Sequence, residues 1–192
     1  MTSAILYDMR TCLVIVDCQN DFVEGGSLAV SGGEQACRAI NGLLQDSRYE
    51  VIVVTEDFHP VKHCSFLDNG GTWPVHCVQN THGAYLHEKI ISGIGSVLQR
   101  GDPVSVSVVH KGMDPRTEEY GASVTVEGIE QFDIVGIALD YCVLETAKLT
   151  KQRYPEARVV IKSAYTAAVD NSPEKRKNIK DICGREKIEW ES

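Results

Sequence analysis

Six short apolar runs rich in valine and isoleucine constrain the fold more than anything else in the sequence. They are "CLVIVD" (12–17), "VIVVT" (51–55), "VSVSVV" (104–109), "FDIVGIA" (132–138), "ARVVIK" (157–162) and, more weakly, "KIEW" (187–190). Most are continuous rather than alternating, the pattern of strands covered on both faces. Helical periodicities fill the gaps. Ala36, Ala39, Ile40, Leu43 and Leu44 share one helical face, and Ser31 with Glu34 has the spacing of a capping box ahead of it. Ile90, Ile91, Ile94, Val97 and Leu98 mark a second helix, and a third begins near Cys142. The last helix reads "SPEKRKNIKDICG", with Ser172 as its cap, Pro173 in its first turn and Gly184 at its end. Strands alternating with helices predict an α/β chain. The expectation is a single domain over residues 1–192, three layers deep, with helices on both faces of a mostly parallel six-stranded sheet in the Rossmann-like order 3-2-1-4-5-6.

The bulk properties narrow the partners. A chain of 192 residues can bury one sizeable core. A formal charge of -8 argues against nucleic acid or an anionic membrane as a partner. No apolar run approaches the roughly 20 residues of a membrane span. The start, "MTSAILYDMRTC", lacks the basic-then-apolar pattern of a secretory signal. Seven cysteines are scattered with no CxxC pair, and an odd count leaves at least one thiol free. That usage fits the reducing cytoplasm.

In a sheet of this kind, ligands bind beyond the carboxyl ends of the strands. Asp17 closes the first run, "TEDFH" the second, His110 and Lys111 the third, and "DYC" the fourth. Each has a plain structural explanation alone: a turn former, a solvated charge, a packed thiol. Three reactive groups at the ends of three strands are harder to dismiss, because they would face one crevice. At the start of a helix, the Cys142 sulfur is expected to feel unpaired backbone amides that favour the thiolate. The same amides can hold an oxyanion. Lys111 would add to this, and Asp17 could take the thiol proton and return it to a leaving group. A second constellation is "DFH" with "WPVHC". In an extended segment Asp57 and His59 point the same way, and His76 can complete a ligand set for zinc, iron or manganese. His63 is a further candidate; His82, His87 and His110 are left outside the set. All of these but His110 lie in a long stretch, 56–87, without strong periodicity, and such loops are often functional.

At these residues the sequence resembles the nicotinamidase branch of the isochorismatase-like cysteine hydrolases. The matching segments run in order along the chain: "LVIVDCQNDFVEGGSLAV", "TEDFHPVKHCSF", "TWPVHCVQNTHGA", "HKGMDPRTEEYGA" and "GIALDYCVLETA". The resemblance implies a catalytic triad of Asp17, Lys111 and Cys142, and an oxyanion hole from the backbone amides of Ala138 and Cys142. It implies one divalent metal, zinc ahead of iron or manganese, on Asp57, His59 and His76, with His63 as a further candidate. It places Phe22, Trp73 and Tyr120 around a pyridine ring and a cis peptide at Ile137–Ala138. The implied activity is hydrolysis of nicotinamide to nicotinate and ammonia through a cysteine thioester, with pyrazinamide also cut. The alternative within the family is a different small amide, ureide or carbamoyl substrate. A metal oxygenase would leave Cys142 and Lys111 unexplained, and a non-enzymatic binder would not need the nucleophile. Relatives range from monomers to larger assemblies, which admits a homo-oligomer. Departures from the family pattern are Glu56, Leu139, Gly121 and Ser123; they bear on the pocket rim and leave the triad intact.

Overall fold

Side chains alternate across a strand, so a strand with apolar residues at every position serves two cores at once. The first strand, β1 (Thr11–Val16), is buried throughout. Its Leu13 and Ile15 join one apolar cluster, while Cys12, Val14 and Val16 join another on the opposite face. The computed structural model describes residues 9–101 and 103–192; the first eight residues, on which most of the signal-sequence reading rests, lie outside them. The remaining elements follow in the order α1 (Gly33–Leu43), β2 (Tyr49–Asp57), α2 (Glu88–Gln99), β3 (Ser105–Lys111), β4 (Gln131–Ile137), α3 (Leu144–Arg153), β5 (Arg158–Ala167), α4 (Pro173–Arg185) and β6 (Glu189–Glu191). The sheet order is β3-β2-β1-β4-β5-β6, and every pairing is parallel. Ala36, Cys37 and Ile40 of α1, with Ile90 and Val97 of α2, cover one face. Leu144 and Ala147 of α3, with Ile179 and Cys183 of α4, cover the other.

This order is the expected one, and it locates the site. The chain winds outward from β1 to β3, then returns to lay β4 beside β1. Connections leave β1 and β4 toward opposite faces, which opens a crevice at their carboxyl ends. Asp17 directly follows β1, and Cys142 follows β4.

Three local expectations change. The helix α1 begins at Gly33, and its cap is Gly32 at φ 85°, with no side-chain cap bond. Ser31 and Glu34 therefore form no capping box; Glu34 instead pairs with Arg38 at 2.9 Å and His87 at 2.8 Å. On α2, Ile90 and Val97 are buried, but Ile91 and Leu98 are exposed, so the apolar stripe is narrower than its periodicity implied. The run "VSVSVV" is the edge strand β3, mostly exposed, and its Val–Ser alternation reflects that position. The cap of α4 is as expected: Ser172 Oγ accepts from Lys175 N at 3.2 Å, with Pro173 in the first turn.

Candidate active site

Parallel register delivers the charged groups to one place. Val16, the last residue of β1, pairs with Thr55, and Asp57 at the end of β2 pairs with Lys111 at the end of β3. The chain turns sharply after β1, with Asp17 at φ 47°. Thr55 Oγ1 donates to Asp17 Oδ1 at 2.6 Å and fixes that carboxylate. Lys111 Nζ lies 2.8 Å from Asp17 Oδ2 and 3.5 Å from Cys142 Sγ, and it also pairs with Asp57. The Lys111 contact with Asp17 Oδ2 is close but poorly directed, so this buried oxygen has no hydrogen-bond partner. One oxygen from each of Asp17 and Asp57 and the Cys142 sulfur lie within 4.8 Å of one another. A free carboxylate lone pair beside a thiol is the arrangement needed to take its proton.

The Cys142 environment differs from the one the sequence implied. The segment Leu139–Val143 forms a single π-helical turn ahead of α3, and Ala138 O accepts from the amides of Tyr141 (3.1 Å) and Val143 (3.0 Å). Burial pushes the Cys142 thiol well above its ordinary value; Lys111 pulls it down, and Asp17 and Asp57 push it up again. Desolvation is the largest of these influences, and it favours the neutral thiol over the thiolate. Burial likewise raises Asp17, against the opposing charge of Lys111, which makes it a better proton acceptor than an ordinary aspartate. Burial works against the Lys111 ammonium, but Asp17 and Asp57 together hold its pKa well above the usual lysine value. The peptide Ile137–Ala138 is cis.

The imidazole cluster is set by backbone carbonyls. His59 Nδ1 donates to Gly112 O at 2.9 Å, and His76 Nδ1 donates to Pro74 O at 2.7 Å. A carbonyl can only accept, so in the neutral form of both rings the proton sits on Nδ1 and Nε2 keeps its lone pair. His59 Nε2 lies 3.6 Å from Asp57 Oδ2. Ligand atoms of Asp57, His59 and His76 fall within 4.8 Å of one another, all buried. Burial opposes ionisation of Asp57, but Lys111 and His59 override it and hold the carboxylate well below its ordinary value. Burial lowers His76 and favours the neutral, ligating form. For His59 burial pulls the same way, but the Asp57 carboxylate reverses the shift. This donor set, with one carboxylate and two imidazoles of fixed tautomer, fits a borderline divalent ion such as zinc. His63 is different. Its Nε2 donates to Thr117 O at 3.1 Å, and its Nδ1 accepts from Ser65 N at 3.2 Å. With both nitrogens engaged, it stacks on His59 at 4.2 Å rather than joining the ligand group.

A cleft of about 400 Å³, counted with the solvent space at its mouth, joins the two groups. Phe22, Trp73 and Tyr120 all line it, as do Asp57, His76, Ala138 and Cys142. Trp73 Nε1 donates to the Tyr120 hydroxyl at 3.0 Å, and both rings pack against Tyr141, at 5.1 and 5.4 Å. A flat aromatic ligand matches these walls. The departures at Glu56, Leu139 and Gly121 are accommodated. Glu56 is engaged by His110 at 2.8 Å, Leu139 is core, and a Cβ on Gly121 would lie 2.6 Å from Leu149 Cδ1. Nothing in the structure explains Ser123.

Sequence reading missed several supports. Buried Gln19 donates to Asp57 O (2.8 Å) and Ala84 O (2.7 Å) and accepts from Asp57 N at 2.8 Å, so it clamps the end of β2. Gly112, at φ 65°, brings its carbonyl to His59; a Cβ there would lie 2.4 Å from the ring. The carboxylate of Asp21 accepts from Cys77 N at 2.7 Å, beside His76. The only signal for Gln19 or Asp21 was proximity to Asp17 in "DCQND".

Fold and site together define a parallel α/β protein with an aspartate–lysine–cysteine group at its switch point, next to a carboxylate–imidazole cluster. The Isochorismatase domain family model matches residues 11–160, and the chain belongs to that family. It is 36% identical over 165 residues to the nicotinamidase/pyrazinamidase of Mycobacterium tuberculosis, covering 83% of this chain and 89% of that protein. Among solved structures it is similar to the yeast nicotinamidase bound to the inhibitor nicotinaldehyde, with TM-score 0.81, 28% identity, and 95% and 99% of the two chains covered. It is also similar to the Pyrococcus horikoshii pyrazinamidase in complex with zinc, with TM-score 0.75, 27% identity, and 94% and 98% covered. Among the described residues, no helix is long and apolar enough to cross a membrane.

Proposed function

We propose that this chain is a metal-dependent amidohydrolase that converts nicotinamide to nicotinate and ammonia through a thioester on Cys142, and that it also cuts pyrazinamide. The observation that carries the reading is the shared cavity: Cys142, Asp57 and His76 line it together with the aromatic side chains. An aspartate–lysine–cysteine group alone would serve many small amides; the adjacent donor set favours one with a ring nitrogen. Asp57, His59 and His76 would hold the divalent metal, zinc by preference, and its Lewis acidity would supply an anchor for that nitrogen.

The residues of the chain then divide the work. Trp73, Tyr120 and Phe22 orient the ring so that the carboxamide carbon meets Cys142 Sγ. The Cys142 thiol gives its proton to Asp17 as sulfur bonds to that carbon. The backbone amides of Ala138 and Cys142 take the developing oxyanion, and each such donor contributes on the order of 3 kcal/mol. Asp17 passes its proton to the amide nitrogen as the C–N bond breaks, and ammonia leaves. Water next attacks the thioester, with Asp17 as base, and releases nicotinate and the thiol. Throughout, Lys111 balances the charges of Asp17 and Asp57. The chain is read as one domain, alone or within a homo-oligomer, working in the cytoplasm; its seven free thiols support a reducing compartment.

The test is ammonia release from nicotinamide, pyrazinamide and a plain aliphatic amide, with elemental analysis of the same sample. Release from the two azine amides, by protein carrying one equivalent of divalent metal, is expected. Turnover of the aliphatic amide with none of nicotinamide would end this reading.

A further inference from the structure

The "DYC" that closes the fourth run holds a carboxylate used by neither the acid–base group nor the carboxylate–imidazole cluster. Asp140 sits in the π-helical turn Leu139–Val143 and does not line the cavity, although Ala138, Tyr141 and Cys142 on either side of it do. Its side chain reaches instead to the loop between β5 and α4. Asp140 Oδ1 accepts from Val169 N at 2.9 Å and Oδ2 accepts from Asp170 N at 3.0 Å, so the two oxygens grip consecutive amides. That loop is fixed at its far end: Asp170 Oδ1 accepts from Ser172 N at 2.9 Å, and Ser172 caps α4. A second contact joins the same two segments, with Lys175 Nζ 5.9 Å from the centre of the Tyr141 ring.

A π-helical turn of this kind is a single turn, with no repeat to hold it in shape. Ala138 O accepts from Tyr141 N and Val143 N; the Cys142 amide lies between these two bonds and takes part in neither. That leaves the amide for an oxyanion, and leaves its direction to whatever anchors the turn. Charge-assisted bonds from one planar carboxylate to two successive amides fix orientation as well as distance. We propose that Asp140 is a positioning residue: by gripping the Val169 and Asp170 amides it aims the Cys142 amide, and with it the sulfur, at the reacting carbonyl. The assignment rests on the reading of the site as a cysteine hydrolase. Asp140 is only half-buried and its two partner residues are exposed, so its loss should cost the fold little. A misaimed oxyanion donor should cost the transition state far more.

The probes are nicotinaldehyde and nicotinate, on the metal-loaded wild type, Asp140→Ala and Asp140→Asn. The aldehyde can add the Cys142 thiol across its C=O: the S–C bond forms, the carbonyl electron pair moves onto oxygen, and the thiol proton moves to Asp17. Nicotinate fills the same cavity and forms no bond to sulfur. Calorimetry gives both dissociation constants; metal content and thermal midpoint are measured alongside. In Asp140→Ala, aldehyde affinity and kcat for nicotinamide should both fall about 10- to 100-fold, the upper figure being that of a misplacement of about 1 Å. KM and nicotinate affinity should stay near the wild-type values, because that binding does not use the oxyanion amide. Metal content should hold, and the midpoint should fall by only about 2–4 °C. Asp140→Asn keeps one acceptor oxygen and should lie between, and it decides the question if the alanine variant does not fold. Equal weakening of aldehyde and nicotinate, unchanged aldehyde affinity, or loss of metal would overturn the assignment. Wild-type protein that forms the aldehyde adduct yet releases no ammonia from nicotinamide would instead refute the hydrolase reading, and the Asp140 contrast would still be read from the adduct.

Discussion

Replacing Lys111 by methionine removes a charge and keeps the volume. Its ammonium sits 2.8 Å from Asp17 Oδ2 and pairs with Asp57, in a site where Asp17 is 0% and Lys111 3% exposed. At an effective dielectric constant near 20, one such contact is worth about 6 kcal/mol before the cost of burying the ammonium is deducted. Breaking a buried pair from one side costs about 3–5 kcal/mol, because the remaining charge is stranded. Here two carboxylates are stranded together. For a chain of this size that loss lowers the thermal midpoint by roughly 6–20 °C. The sign with pH is fixed by Asp17. Its folded pKa is raised by burial, and Lys111 is the main force opposing that rise. In Lys111→Met it rises further, so the folded state binds a proton more tightly than the unfolded chain. The stability deficit must therefore shrink as pH falls through the new folded value. Urea unfolding at pH 7 and pH 5 measures this. A deficit under about 1 kcal/mol at pH 7, or one that does not narrow at pH 5, would refute the view of Lys111 as the counter-charge of both carboxylates.

Other consequences are separable. Gly112→Ala pushes a methyl into the His59 ring and breaks the carbonyl contact that sets its tautomer; metal affinity should fall about 10- to 100-fold by competition with a chelator. In the proposed mechanism Asp17 must be ionised to accept the thiol proton; with its pKa raised, the acid limb of kcat/KM should fall above the ordinary aspartate value of 3.8. Asp17→Asn should leave no rate for that limb to report. A limb at or below 3.8 would remove Asp17 as the base.

Much of the fold was legible because the central strands are buried on both faces. Unbroken runs such as "CLVIVD" and "FDIVGIA" have few other uses, and the polar residues closing them landed in the crevice. Ser31 and Glu34 misled because Gly32 reaches a left-handed conformation that ends the loop one residue later than a side-chain cap would. Cys142 lies in the crevice as its place after the fourth strand implied, but the burial that raises its thiol is a tertiary property that no local pattern shows. Gln19 and Gly112 were invisible for a related reason. Both act through carbonyl and amide contacts with partners 38 or more residues away. His63 shows the converse, a residue whose type fits a metal while its two nitrogens are already committed.

The covalent step is open to direct observation. Wild-type protein quenched in acid during turnover of nicotinamide should carry one nicotinoyl group on the peptide that contains Cys142, and Cys142→Ala should carry none and release no ammonia. Undiminished ammonia release by a folded Cys142→Ala protein would contradict the account.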